Sequence, residues 1–152
     1  MHLLETFSLS TGLKIKKPWI LEQFFPLGLD GDFIALQPFG KFDSRKYDYW
    51  NEVMNILSPV LDKNNIHVIQ VGGKDEPRID NVVYLAGQTT YNQTAYLIRN
   101  AILHLGIDSF GVHIASGMGK KIVALYCNMY LQHSRPYWSN EEDIILLEAD
   151  RK

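Results

Sequence analysis

LGIDSFGVHIASGMGKKIVALY, residues 105–126, reads as strand, turn, helix and strand in quick succession. ILHLGI (102–107) is an apolar strand, and Asp108, Ser109 and Phe110 make the turn. GVHIASGM (111–118) has the length of a short helix, and KIVALY (121–126) is apolar again. Strands that are apolar on both faces and separated by a helix belong to a parallel sheet covered on both sides.

The same rhythm extends upstream. FIALQPF (33–39) is a strand closed by Pro38 and Gly40. Trp50, Val53, Met54, Leu57 and Leu61 recur at spacings of three and four, which predicts an amphipathic helix over 47–62 that Pro59 should kink or end. IHVIQVGG (66–73) is the next strand, VVYLAG (82–87) a short one, and 91–100 a helix capped by Thr90 or Asn92. DIILLEA (143–149) fits a sixth strand or a terminal helix equally well. Residues 1–32 are less regular, with a possible helix at 2–9, and read as an arm or interdomain linker. The fold class is therefore α/β, a Rossmann-like open parallel sheet forming a single domain over 33–152.

The totals narrow the function classes. With 152 residues the chain can bury one sizeable core, and 46% hydrophobic with 21% charged residues is an ordinary globular composition. A net charge of −2 gives no reason to expect nucleic acid, and Lys14, Lys16 and Lys17 read as a solvated loop. The single cysteine, Cys127, excludes an internal disulfide and a Cys-based zinc site, and reads as a small core residue. No apolar stretch has the length of a membrane span, and the start of the chain has no basic leader. A cytoplasmic location is expected by elimination.

In open α/β sheets, ligands sit at the carboxyl ends of the strands. Four candidate sites lie there. In the 105–126 stretch, Asp108, Ser109, Gly111 and His113 surround a helix start, whose N–H groups and partial positive charge suit a phosphate. Asp108 as a plain helix cap and His113 as a packing residue are equally good readings. In QPFGKFDSRKYDYW (37–50), Ser44, Arg45 and Lys46 precede a helix where a pyrophosphate would fit, although neither common phosphate-loop glycine pattern is present. After VGG (71–73), Asp75 or Glu76 could accept from ribose hydroxyls, or simply open a solvated loop. AGQTT (86–90) offers Thr89 and main-chain groups to a base or ribose, with helix capping the alternative for its threonines.

In this order, residues 33–137 resemble the C-terminal, donor-binding domain of the ADP-heptose:lipopolysaccharide heptosyltransferases, glycosyltransferase family 9. The elements that carry the likeness are FIALQPFG, SRKYDYW, VIQVGGKDE, LAGQTT and IDSFGVHIASGMGKKIVALY. The resemblance implies one half of a GT-B enzyme, with no metal or other cofactor and a nucleotide sugar such as ADP-heptose as substrate. It implies that Lys46 neutralises diphosphate beside Ser44, that Asp75 or Glu76 holds ribose, and that Asp108, Ser109 and His113 surround phosphates and sugar. The acceptor, a glycan or lipopolysaccharide, and the catalytic base would belong to a second domain, chain or protomer, so no catalytic residue is nominated. A non-catalytic nucleotide-sugar module and an interaction domain needing a partner are the alternatives. Tyr126, Tyr130, Tyr137 and Trp138 are the candidates for an exposed partner-facing patch, or for core. Two positions depart from the family pattern: Phe110 stands where glycine follows Asp-Thr, and Lys121 replaces a proline.

Overall fold

The computed structural model describes residues 1–150. A helix α1 (Leu3–Thr11) opens the chain, and the sheet is built from β1 (Asp32–Gln37), β2 (Ile66–Gln70), β3 (Val83–Tyr84), β4 (Leu103–Ile107), β5 (Ile122–Tyr126) and β6 (Ile144–Glu148). Between them lie α2 (Trp50–Lys63), α3 (Tyr91–Asn100), α4 (Phe110–Gly117) and the short α5 (Leu131–Ser134). The sheet order is β3-β2-β1-β4-β5-β6, with every neighbouring pair parallel. This is the doubly wound Rossmann order, whose direction of winding reverses between β1 and β4. The 143–149 segment is thereby resolved as a strand.

Each strand alternates its side chains between two cores. Phe33 and Ala35 of β1 face α3 and α4, where Leu97, Ile98, Val112 and Ala115 are buried. Ile34 and Leu36 face α2, burying Trp50, Met54 and Leu61. Pro59 neither ends α2 nor confines its packing, because the helix continues to Lys63 and Leu61 is buried beyond it. A proline in a helix forfeits one main-chain bond to the preceding turn, and burial of the apolar stripe outweighs that here.

Residues 12–31 carry no helix or strand and run across the α3–α4 side. Ile20, Phe25, Leu27 and Leu29 pack on that core, Gln23 N–H donates to the Asn92 carbonyl at 3.0 Å, and Arg99 pairs with Glu22 at 2.9 Å. Gly117 lets the segment lie close, since a Cβ there would meet Pro18 Cγ at 2.7 Å. α1 buries none of its residues and is held through its cap. His2 Nδ1 accepts from Leu4 N–H, so Nε2 carries the proton and donates to the Arg135 carbonyl at 3.0 Å. Of the four aromatic patch candidates, Tyr126 is fully buried, Tyr137 and Trp138 are half-buried, and Tyr130 is exposed. They do not form one surface. Cys127 is half-buried.

β1 and β4 approach closely because Gly106 pairs with Gln37, where a Cβ would lie 2.5 Å from the Gln37 carbonyl oxygen. Gly106→Ala should therefore lower stability by about 1–3 kcal/mol through overpacking. Urea unfolding should show this as a lower midpoint at unchanged slope.

Candidate functional site

The winding reversal is bridged by one side chain. Gln37, at the end of β1 and buried, donates from Nε2 to Ser109 Oγ at 3.1 Å and accepts from Gly111 N–H at 3.0 Å. The start of α4 is thus capped by Gln37, and Ser109 makes no capping bond of its own. Gly111 allows the contact: a Cβ there would lie 2.5 Å from Gln37 Oε1 and 2.7 Å from the His104 ring. The close approach at Gly111 is therefore to the protein's own side chains, and its N–H is already taken.

Beside this bridge lies a cleft of about 820 Å³. It runs along the carboxyl ends of four strands: Gly87 and Thr89 after β3, Gly72, Gly73, Lys74 and Glu76 after β2, Gly40 and Lys41 after β1, and Ser109 and Phe110 after β4. Thr90, Tyr91 and Thr94 of the α3 start complete the lining. Gly87, at φ +72°, brings two loops together, since a Cβ there would be 2.8 Å from Lys74 Cα. Of the sequence-derived residues, Glu76, Thr89 and Ser109 line this cleft. Lys46 and Asp75 line a smaller neighbouring one of about 280 Å³, which also shares Lys74 and Glu76. Lys46 pairs with Asp48 at 3.1 Å, and Ser44 lies in the 3-10 turn Asp43–Arg45 without lining either cleft.

The Glu76 carboxylate folds back over the Gly72–Gly73 turn. Its Oε1 accepts from Gly73 N–H at 2.7 Å, while Oε2 is buried with no partner among the described residues. Burial raises its pKa above the ordinary carboxylate value, against the pull of that N–H. A buried oxygen left without a donor is costly.

Asp108 and His113 line neither cleft. Asp108 is buried, 3.9 Å from Arg45 Nη1, 3.8 Å from His113 Nε2 and 3.5 Å from Ser134 Oγ. Arg45 also donates to the Asp108 carbonyl at 2.8 Å. Burial raises the Asp108 pKa while Arg45, His113 and Ser134 oppose it, and burial lowers that of His113. The cation of the 43–46 segment that reaches the switch point is therefore Arg45, held by Asp108. Lys41, Lys74, Tyr91 and Gln37 went unnoticed in the sequence. Lys41 and Lys74 follow the glycines of their strand ends, the one signal that would have found them. Among the described residues no cluster of three or more His, Cys, Asp or Glu is placed to hold a metal.

Comparison with known proteins agrees with this fold. The model of glycosyltransferase family 9 (heptosyltransferase) matches residues 5–152. The chain belongs to that family. Its sheet, flanked by helices on both faces, is a Rossmann-like half of the GT-B fold. Similar solved structures include a family 9 glycosyl transferase from Veillonella parvula DSM 2008, at TM-score 0.66 and 16% identity over 97% of this chain. Others are E. coli ADP-heptose LPS heptosyltransferase II, at TM-score 0.60 and 18% identity over 75%, and E. coli heptosyltransferase WaaC with ADP, at 0.64 and 12% over 81%. The matches span 40%, 38% and 40% of those chains, so the chain covers well under half the length of these relatives. No protein of curated function matches the sequence. No helix among the described residues is long and apolar enough to cross a membrane.

His104, under Gly111, carries a measurable signature. Burial lowers its pKa to about 4, the Ala35 backbone opposing only in part, and neither ring nitrogen has a hydrogen bond of ordinary geometry among the described residues. The unfolded chain takes up a proton first as pH falls below about 6.5, so stability is lost between there and pH 4. Between pH 7 and pH 5, urea unfolding should show the protein losing about 2 kcal/mol more than His104→Leu loses.

Proposed function

We propose that the cleft binds the nucleoside diphosphate of a nucleotide-sugar donor, as the donor-side half of a glycosyl transfer. One observation carries the reading. Lys41 and Lys74, with no ion pair among the described residues, and Glu76, with an unpaired buried oxygen, converge on one cleft at the strand ends of a Rossmann-type sheet. Sheet order supports one arrangement of the donor. The Gly87–Thr89 main chain after β3 meets the base, Glu76 after β2 accepts from ribose hydroxyls, and Lys41 and Lys74 neutralise the diphosphate beside the β1 end.

As the glycosidic bond breaks, negative charge grows on the leaving diphosphate. Cations already in place stabilise that charge without a metal. The acceptor surface and the catalytic base belong, in this reading, to a second domain, chain or protomer, consistent with relatives more than twice the matched length. An ADP-heptose-like donor, a glycan or lipopolysaccharide acceptor and a cytoplasmic location are the corresponding expectations. Asp108, His113 and Arg45 form the polar wall behind Ser109, where the sugar end of the donor arrives.

Thermal unfolding against ADP, GDP, UDP, CDP and ADP-heptose tests this. A ligand at about 100 times its dissociation constant adds about 2.7 kcal/mol, a shift of several degrees for a domain of this size. Lys41→Ala and Lys74→Ala should each weaken the effective ligand by about tenfold, the worth of a charge-assisted hydrogen bond. A larger loss in Lys46→Ala would move the diphosphate into the smaller cleft. No shift with any nucleotide would refute donor binding by this chain.

A further inference from the structure

We propose that Tyr91 and Phe110 form the seat for the sugar ring of the donor, and so select which sugar the cleft accepts. The proposal rests on the donor reading above. Tyr91 is the first residue of α3 and Phe110 the first of α4, and both line the cleft. Their rings meet edge to face, with centroids 5.3 Å apart and planes at 84°. Tyr91 is 79% exposed, so core packing does not explain it. An edge-to-face pair leaves one ring face open, and the apolar C–H face of a pyranose packs well on such a surface.

Position gives the second argument. Along the cleft the strand ends follow in the order β3, β2, β1, β4. With base, ribose and diphosphate on the first three, whatever the diphosphate carries comes to the β4 end, where Phe110 stands. Charge gives the third. Thr90 Oγ1 accepts from Gln93 N–H at 3.2 Å while Gln93 Oε1 accepts from Thr90 N–H at 2.9 Å, so the α3 start is capped from within. At the α4 start, Gly111 N–H is given to Gln37. These bonds occupy the Thr90, Gln93 and Gly111 N–H groups, and Lys41 and Lys74 are the cations that line the cleft. The β4 end is left to a neutral ring, whose hydroxyls find Ser109 nearby.

Calorimetric titration of the full chain separates the sugar from the nucleotide, with ADP against ADP-heptose and UDP against UDP-glucose as paired probes. Phe110→Ala and Tyr91→Ala should weaken the nucleotide sugar roughly three- to tenfold, while affinity for the matching diphosphate stays within about twofold. Phe110→Leu, which keeps the apolar packing of α4, should show the same selective loss. Equal losses for diphosphate and nucleotide sugar would overturn the proposal by placing the rings on the base or in the fold. Tighter diphosphate binding in Phe110→Ala would overturn it by making the ring a mere obstruction. A nucleotide sugar unaffected by either substitution would also overturn it, with diphosphate binding intact. Failure of every probe to bind the unaltered chain is a separate result and overturns the donor reading itself.

Discussion

The site is organised around the Gln37 amide, which ties the end of β1 to the turn that leaves β4. Its two ends bond Ser109 and Gly111, so the two paired strands between which the winding reverses are tied together at their carboxyl ends. Two glycines make room for it: Gly106 for its main-chain carbonyl and Gly111 for its side chain. A buried amide with both ends satisfied is stable, whereas one left half-paired would cost the desolvation of its orphaned group. The cleft wall at Ser109 and Phe110 is held where this amide puts it.

The same junction divides the charges. Arg45 turns inward to the buried Asp108, whose carboxylate it partly offsets. Trp50 Nε1 donates to the Pro38 carbonyl at 2.9 Å and anchors the loop after β1 to the start of α2. With Arg45 engaged, the cations facing the large cleft are Lys41 and Lys74, delivered by loops whose glycines permit close approach. The anion site proposed for this cleft rests on loop geometry more than on the dipole of one helix.

Much of the fold was legible because apolar runs and punctuating glycines are local signals. The α3 helix begins at the Thr90 cap the sequence pointed to, and the β1, β2, β4 and β5 runs coincide with observed strands. Pro59 does not end α2: a missing main-chain bond is visible in sequence, while the burial of Leu61 that outweighs it is not. The site was legible at the level of strand ends, and less so residue by residue. Glu76, Thr89 and Ser109 meet in one cleft, while Gly111 faces inward and Lys46 lies in the adjoining hollow. Neighbours in sequence, such as Arg45 and Lys46, point apart, and no composition or spacing records that.

By itself the sequence determined the alternation of strands and helices, the parallel sheet and the family, because these rest on hydrophobic period, caps and turn residues within short windows. Only the tertiary structure decided that Gln37 caps α4, that Lys41 and Lys74 share a cleft with Glu76, and that Tyr91 meets Phe110. Those pairings join residues from separate strand ends, and their distances are set by strand order and by which side chains fill the gaps the glycines leave.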